Sequence, residues 1–343
     1  MAKFEVNVSL QIETQRILIF VETTLAMVKY TFIFLFSFFL SNTAHCQSKE
    51  IQYESEYFVI LVIDGPRYSE TYGDTTCKYI PNLCTQLKPY GTFFSNFKND
   101  GPTLTVPGHT AIMTGNYQHI SNIGGQLPKN PSLFQYYIKE KHALSKDAQV
   151  IASKGKLNVL SNTRNKKWRD THLPYSYCGP NGNGLGYGDD FQTMQKVTES
   201  LNSSEPPHLM LVNLLGVDVQ GHANHWEKYL ENIQLTDVYA LQIWNSIQEN
   251  VRMRNKTTLF ITNDHGRHLP KVKNGFVSHG DGCEGCRHIS LLVLGPDVAP
   301  GKEITKKAEM IDIPETIARM LGIDFPTGKG DFLEEIFIET KRD

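Results

Sequence analysis

A threonine beside a predicted helix start is the first feature of this sequence that could do chemistry. In the stretch Thr103-Leu-Thr-Val-Pro-Gly-His-Thr-Ala-Ile-Met-Thr-Gly115, Thr105 is followed by Pro107, Gly108 and an apolar run. This layout predicts a short helix with the Thr105 oxygen at its N-terminus. Free N–H groups and the helix dipole favour an anion there. Thr105 is therefore a candidate nucleophile for a phosphate-like group; the alternative is a threonine that only caps the helix.

Acidic and histidine residues follow three apolar, β-branched segments of the chain. Buried parallel strands deliver such side chains to the carboxyl edge of a sheet, where open α/β folds bind ligands. A later loop adds His279, and His288 is the alternative to it. The three segments are Tyr57 to Asp64, His208 to Leu215 followed by Asp218 and His222, and Thr257 to Asn263 followed by Asp264 and His265.

These residue types predict two metal sites that share one nucleophile. Mixed aspartate and histidine ligands suit zinc, with manganese or iron as alternatives. Two ions about 3.5–4 Å apart stabilise the attacking and leaving oxygens of an in-line displacement, and would let Thr105 attack as an alkoxide. One site is predicted from Asp64, Thr105, Asp264 and His265, and the other from Asp218, His222 and His279.

Length and charge limit the class of protein. The 343 residues are 40% hydrophobic and 20% charged, which is enough to bury a large α/β core. A formal net charge of −2 gives no case for a nucleic-acid surface or a polybasic membrane patch. We expect a small-molecule substrate.

The N-terminal segment is predicted to be a signal peptide, residues 1–46, with residues 1–26 as an extended start. Tyr30 to Leu40 forms an apolar run, and Ala44 and Cys46 suit a cleavage zone before Gln47. Glu22 interrupts the wider apolar region, so we expect no stable membrane span after cleavage. The prediction is a secreted or periplasmic protein with one catalytic domain at 47–343; an uncleaved N-terminal membrane anchor is the alternative.

Residues 162–190 form a long irregular stretch rich in glycine, basic and aromatic residues. Such a loop is usually functional or floppy, so we predict a lid-like insertion in which Trp168, Tyr175 and Tyr177 face the substrate. A solvated surface insertion is the alternative. The remaining pattern predicts helices at 132–140, 227–254 and 309–321, and strands at 91–97, 148–152, 157–160 and 288–295.

The cysteines are those expected of an exported protein. Cys77 and Cys84 lie close together, and Cys283 and Cys286 form a C-x-x-C motif, so two short-range disulfides and a free Cys178 are the simplest count. The C-x-x-C motif also occurs in redox and zinc sites. Because no second C-x-x-C lies nearby, a structural turn is the favoured interpretation.

The motifs jointly resemble the alkaline phosphatase superfamily, and most closely its nucleotide pyrophosphatase/phosphodiesterase branch. The resemblance runs from Val59 to about Phe337. It implies an alkaline-phosphatase-like three-layer α/β/α sandwich with a mostly parallel sheet, two zinc ions, and a covalent phospho-enzyme at Thr105. The matching motifs include Asp64-Gly-Pro-Arg67, Thr105-Val-Pro-Gly-His109, Asp218-Val-Gln-Gly-His222, Asn263-Asp-His-Gly266, His279-Gly280 and Asp312-Ile-Pro-Glu315.

Two departures concern how the phosphate would be held. Gly108 and Gln126 stand where the phosphodiesterase pattern has asparagine, and Gln126 is predicted to donate to a phosphoryl oxygen in its place. The expected activity is that of an exported phosphodiesterase. A phosphomonoesterase, a phosphomutase and a non-catalytic binder of anionic ligands are the alternatives.

Overall fold

The computed structural model describes residues 2–41 and 52–339, apart from the side chains of residues 2–11 and 33–41. The chain divides into two compact units, Met1–Glu50 and Ile51–Asp343. The described part of the first unit is the helix α1 (Ala2–Ser41). None of the helices in the described residues combines the length and the hydropathy that a membrane span requires. The predicted cleavage zone, Ser41 to Cys46, lies outside the described residues except for Ser41, so the signal peptide stays a prediction.

The second unit alternates strands and helices, as the hydrophobic pattern predicts. The four strands at the centre of the sheet are mainly apolar and almost wholly buried, which is typical of strands covered on both faces. The strands are β1 (Tyr57–Ile63), β2 (Thr92–Lys98), β3 (Ala148–Ala152), β4 (Tyr175–Cys178), β5 (Leu209–Leu214), β6 (Thr257–Asn263), β7 (His288–Leu294), β8 (Lys302–Ile304) and β9 (Ala308–Glu309). The helices are α2 (Thr105–Thr114), α3 (Leu133–Glu140), α4 (Asp190–Leu201), α5 (Gly216–His222), α6 (Trp226–Glu249), α7 (Glu284–Arg287) and α8 (Asp312–Leu321).

The strands form one mixed sheet in the order β4-β3-β5-β1-β6-β7-β2-β8, and β9 also pairs with β2. The five strands from β4 to β6 are parallel to one another, and β7 is antiparallel to both of its neighbours. In the register, Ile63 of β1 lies opposite Leu214 of β5 and Asn263 of β6. The carboxyl ends of β5, β1 and β6 therefore lie at the same level. The residues that follow these strands are thus placed next to one another at one edge of the sheet.

Two apolar cores cover the two faces of the sheet. Alternate β1 side chains divide between them: Phe58 and Ile60 belong to one core, and Val59 and Leu61 to the other. Residues of α2, α3 and α8 join the first core, and residues of α4 and α6 join the second. Helices thus lie on both sides of the sheet, and the predicted α/β fold with a mostly parallel sheet is confirmed.

Two local predictions were wrong. Residues 157–160 are not a strand, because Gly155–Ser161 forms a 3-10 helix directly after β3. Cys283 and Cys286 are free thiols rather than a disulfide. The predicted disulfide between Cys77 and Cys84 is present, and Cys178 is a free, buried thiol as expected.

Candidate active site

Helix α2 places the Thr105 hydroxyl above the carboxyl edge of the sheet. Thr105 is the first residue of α2, and Leu104 is the N-cap and makes no side-chain capping bond. Thr105 is therefore not the helix cap. It is 1% exposed, and every residue of α2 is buried. A helix that is buried on all sides belongs to the interior of a protein, so α2 is held in place by its surroundings at the site.

Gly108 allows α2 to approach the sheet. A Cβ atom at this position would lie 2.7 Å from the carbonyl oxygen of Asp264, closer than side-chain carbons come to backbone atoms. His109, one residue later, donates a 2.9 Å hydrogen bond from Nδ1 to the Thr105 carbonyl oxygen, and the same Nδ1 lies 3.4 Å from Asp264 Oδ2. Gly108 and His109 thus join the Thr105 helix to the Asp264 loop.

The ends of β1 and β6 bring together the first group of possible metal ligands, Asp64, Asp264 and His265. His265 Nε2 lies 3.5 Å from Asp64 Oδ1 and 3.5 Å from Asp264 Oδ2, and all three side chains are fully buried. His265 Nδ1 lies 3.0 Å from the Gly266 carbonyl oxygen, which as its acceptor fixes the tautomer and leaves Nε2 free to ligate. The structure thus brings together three of the four residues predicted for the first metal site.

The second group lies beside the first and contains Asp218, His265 and His279. Asp218 Oδ1 lies 3.4 Å from His279 Nε2 and 3.4 Å from His222 Nε2. The His222 ring lies next to His279, with 2.9 Å between the two Nε2 atoms, but its side chain is 52% exposed. His265 stacks on His279 at 3.7 Å between ring centroids and so adjoins both groups. His288, the alternative to His279, instead bonds the Ser95 carbonyl oxygen.

Unsatisfied polar atoms show that the site fits divalent ions. Within residues 52–339, Asp64 Oδ1, Asp264 Oδ2 and His265 Nε2 are buried without a hydrogen-bond partner. Such atoms are costly to bury unless they bind something. Two carboxylates and an imidazole form a donor set that zinc and related metals accept.

The electrostatics of the site also favour added positive charge. Burial, together with the neighbouring Asp264 carboxylate, raises the pKa of Asp64 to about 6. Burial lowers the pKa of His265 to about 3, so this imidazole is neutral and can ligate. Burial alone would raise the pKa of Asp218, but Lys154, His279 and Arg267 outweigh it and hold that pKa below its usual range.

Lys154 is a site residue that sequence reasoning missed. Its ammonium Nζ lies 2.6 Å from Asp218 Oδ2, 2.9 Å from Asp64 Oδ2 and 3.0 Å from Thr105 Oγ1, and the residue is 1% exposed. Burial opposes its charge, but the carboxylates of Asp64 and Asp218 dominate and raise its pKa. Lys154 comes two residues after β3, so the strand-end rule applied to that strand would have found it.

Three further polar residues support the site. Arg267 is fully buried, donates to the Gly65 carbonyl oxygen at 2.9 Å, and pairs with the Asp218 carboxylate. Asn122 accepts from the Val106 N–H at 2.9 Å, and Lys156 Nζ lies 3.4 Å from the same amide oxygen. Nothing in the local sequence around Arg267 and Asn122 distinguishes them from ordinary polar residues.

The other residues predicted to contact the substrate make hydrogen bonds and ring contacts of their own. Gln126 Oε1 accepts from the Ser121 N–H at 3.1 Å. Trp168 packs on Tyr136 of α3, with 4.4 Å between ring centroids. Tyr175 and Tyr177 lie on the edge strand β4, and Lys196 lies over the Tyr177 ring. A role of Gln126 and these aromatic residues in substrate binding, and a lid at 162–190, stay predictions.

A family model described as "Type I phosphodiesterase / nucleotide pyrophosphatase" matches residues 58–269. The chain belongs to this family. The match covers β1 to β6, and therefore the carboxylates at their ends and the Thr105 helix. The family lies in the alkaline phosphatase superfamily of phosphoester hydrolases and transferases, which confirms the resemblance seen in the motifs.

Relatives of this family member differ in activity. This chain is 24% identical over 308 residues to GPI ethanolamine phosphate transferase 1 of Emericella nidulans, and the match covers 78% of this chain and 31% of the relative. It is 30% identical over 213 residues to the phosphopentomutase of Desulfitobacterium hafniense, covering 62% of this chain and 48% of the relative. The chain thus spans less than half of either relative.

The fold of this family member also matches solved structures. The alkaline phosphatase PafA superposes with a TM-score of 0.63 at 13% sequence identity, covering 83% of this chain and 99% of PafA. At this identity the likeness concerns the fold, which is alkaline-phosphatase-like as expected.

Proposed function

We propose that this protein is an exported, metal-dependent hydrolase of phosphate esters that uses Thr105 as its nucleophile. The observation that carries the proposal is the position of the Thr105 hydroxyl. It is buried at the start of α2, 3.0 Å from the Lys154 ammonium and beside ligand atoms that lack partners. A buried hydroxyl in such surroundings is activated as a nucleophile rather than held for packing.

The two ligand groups would hold one divalent ion each. Asp64, Asp264 and His265 would bind the ion beside Thr105, and Asp218, His222 and His279 would bind the other. Zinc is the metal that these donors suit best. When bound, the ions supply Lewis-acid activation of the hydroxyl and neutralise charge on the phosphoryl oxygens.

Thr105 and Lys154 then perform the first displacement. The Thr105 hydroxyl gives its proton to solvent, and the Lys154 ammonium stabilises the alkoxide through its short contact with Oγ1. Thr105 Oγ forms a bond to phosphorus while the bond from phosphorus to the ester oxygen breaks. The leaving alkoxide takes a proton from solvent. Water next displaces Thr105 from phosphorus, which restores the hydroxyl and completes hydrolysis.

Asn122 and Lys156 extend the positive side of the site. Their 3.4 Å contact places a second ammonium group near the start of α2. Asn122 accepts from the Val106 N–H, which fixes its amide next to the nucleophile and makes it a second candidate, in addition to Gln126, for contact with a phosphoryl oxygen. Two lysines in one site favour a doubly charged phosphate, so a phosphomonoester competes with the predicted diester as the natural substrate.

Hydrolysis of three synthetic esters tests the proposal: p-nitrophenyl phosphate, bis-p-nitrophenyl phosphate and p-nitrophenyl sulfate, with zinc or with a chelator. We expect zinc-dependent turnover of a phosphate ester. Acid quenching during turnover should trap phosphate on the peptide that contains Thr105, and Thr105→Ala should abolish the adduct and turnover. Thr110→Val, which changes a buried hydroxyl on the same helix, is the control. Full activity of Thr105→Ala would reject the nucleophile.

Phosphoryl transfer to an alcohol is the second candidate function. The specific observation in its favour is the similarity to GPI ethanolamine phosphate transferase 1 over 78% of this chain. The same phospho-threonine can be attacked by an alcohol in place of water. Turnover of bis-p-nitrophenyl phosphate in the presence of glycerol distinguishes the two: a hydrolase releases mainly p-nitrophenyl phosphate, and a transferase releases mainly its glycerol diester.

Export is part of the proposal. The disulfide between Cys77 and Cys84 supports it, because disulfides persist in oxidising compartments. The apolar run from Tyr30 to Leu40 supports a signal peptide. Mass spectrometry of secreted protein should find Gln47 at its N-terminus, whereas an intact N-terminus in a membrane fraction would favour the anchor.

A further inference from the structure

Four metal-ligating side chains meet in the loops next to the active site. His268, Asp281, Cys283 and Cys286 each offer one ligand atom, and these atoms all lie within 4.8 Å of one another. We call these four residues the loop cluster. None of them belongs to the two groups around Thr105, and the chemistry proposed above does not use them.

The distances within the loop cluster are close to those of a tetrahedral ion site. Zinc binds sulfur at about 2.3 Å and nitrogen or oxygen at about 2.0–2.2 Å, so tetrahedral ligands lie about 3.3–3.8 Å apart. The two sulfur atoms of Cys283 and Cys286 are 3.4 Å apart, and Cys286 Sγ lies 3.5 Å from Asp281 Oδ1. His268 Nε2 lies 3.1 Å from Asp281 Oδ2. The four donors therefore need only small adjustments to surround one ion.

His268 gives independent evidence for a ligand. The residue is 8% exposed, and its Nε2 is buried without a hydrogen-bond partner among the described residues, despite its short distance to Asp281. Its Nδ1 lies 2.8 Å from the Lys273 carbonyl oxygen. A carbonyl can only accept, so Nδ1 carries a proton, and in the neutral imidazole Nε2 then presents its lone pair to the cluster. This is how a metal-ligating histidine is held.

Thiolate chemistry selects the kind of metal. Two sulfur ligands with one imidazole and one carboxylate suit zinc, whereas magnesium and calcium prefer oxygen ligands. The backbone N–H groups of Cys286 and Arg287 both bond the Cys283 carbonyl oxygen at 3.0 Å. This tight turn holds both thiols on one side, as the C-x-x-C spacing of zinc sites requires.

The loop cluster lies on the same segments as three residues of the active site. His265 and Arg267 precede His268, and His279 precedes Asp281. Backbone bonds already join the segments, from Gly266 N–H to the Cys286 carbonyl oxygen at 2.8 Å and from His268 N–H to the Ser278 carbonyl oxygen at 3.1 Å. An ion here would tie together the two loops that carry His265 and His279.

We infer that His268, Asp281, Cys283 and Cys286 bind a structural zinc ion that braces these loops. The site has four protein ligands and no open position, which is typical of structural zinc. The inference does not depend on turnover, because it concerns a metal that is bound whether or not Thr105 reacts.

Metal content tests the inference directly. Inductively coupled plasma mass spectrometry of the full chain, purified with zinc and without chelator, should show one equivalent of zinc fewer in Cys283→Ser/Cys286→Ser than in wild type. Cys178→Ser, which removes the buried free thiol of β4, is the matched control and should keep the full content. An unchanged zinc content in the double variant would overturn the inference.

If the double variant does not fold, cobalt substitution of the wild-type protein still tests the inference. Cobalt bound by two thiolates gives a strong near-ultraviolet charge-transfer band, and neither ligand group around Thr105 contains a cysteine. We expect the band in wild type and Cys178→Ser, and its loss in His268→Ala. Absence of the band from cobalt-loaded wild type would overturn the inference. So would peptide mapping of the native protein that finds Cys283 and Cys286 joined as a disulfide.

Discussion

The cluster around Thr105 and the loop cluster both gather metal-ligating residues, but the chain builds them in different ways. The first takes Asp64, Asp218 and Asp264 from the region after three neighbouring strands whose register is fixed by the sheet. The loop cluster takes its four residues from a stretch of 19 positions, from His268 to Cys286, that contains only short helical turns. The sheet prepares the first site before any ion arrives, whereas an ion would have to complete the second.

This difference predicts what each metal ion would change: reactivity at the first site and local stability at the second. Buried carboxylates in a rigid frame cannot separate to relieve their repulsion, so an ion there changes reactivity with little change of fold. Loop ligands can separate, and an ion there changes local stability. The predictions that follow test this division.

The largest effect is expected from removing one carboxylate at a strand end. Asp264→Asn should lower kcat/KM by at least about 100-fold, since even residues around metal ligands have effects of 10- to 100-fold. Steady-state kinetics with far-ultraviolet circular dichroism measure this, and the spectrum should not change. The cobalt–thiolate band of the loop cluster should also persist. Loss of that band in Asp264→Asn would show that the two clusters are not independent.

The free energy of unfolding should depend more strongly on Lys154 when no metal is bound than when zinc is bound. Without it, Asp64 and Asp218 lack their ammonium partner in a buried site, and breaking a buried ion pair costs about 3–5 kcal/mol. Urea unfolding of Lys154→Met in chelator should show a loss of this size, and added zinc should recover much of it. Lys156→Met is the control, with a smaller loss. An equal loss for Lys154→Met with and without zinc would mean that the ions do not share its carboxylates.

Removing the two thiols of the loop cluster should increase the rate of amide hydrogen exchange in the surrounding loops. In Cys283→Ser/Cys286→Ser, amide hydrogens between 266 and 287 should exchange about tenfold faster or more, because the loops open more often. Amides of β1, at the centre of the sheet, should keep their rates. Hydrogen exchange with mass spectrometry measures both in one sample. Faster exchange across β1 as well would place the loop cluster in the global fold and would break the contrast drawn here.

The smallest effect is expected from Asp312, a buried carboxylate outside both clusters. Burial raises the pKa of Asp312 from 3.8 to about 6, although the backbone N–H groups of Glu309 and Asp331 donate to it. The folded state therefore binds more protons than the unfolded state between these values. The resulting stability is full below pH 3.8 and is lost as pH rises to about 6.

Asp312→Asn should remove this part of the pH dependence. Urea unfolding at several pH values from 4 to 7 should give a flatter curve for the variant, because asparagine does not titrate and its other effects are independent of pH. Parallel curves for the two proteins would show that the Asp312 pKa is not raised in the folded state.

Prediction from sequence succeeded where one rule could be applied to a local pattern. Apolar runs ending in Asp64 and Asp264 indicated buried parallel strands, and the sheet places those carboxylates at one edge. The rule was applied too narrowly, since Lys154 follows β3 in the same way. It also failed for residues 157–160, which form part of a 3-10 helix, because a short buried apolar run is compatible with a strand or a helical turn.

The sequence by itself determined the family, the α/β class and the position of three carboxylates after strands, because each of these follows from patterns that are local in the chain. Only the tertiary structure decided which of the other polar residues reach the site. Lys154 and Thr105 are 49 positions apart yet touch. His268 and the Cys283 turn look unrelated in sequence and meet because two loops pack at the end of β6 and the start of β7. Such contacts follow from the packing of distant segments, which local spacing does not encode.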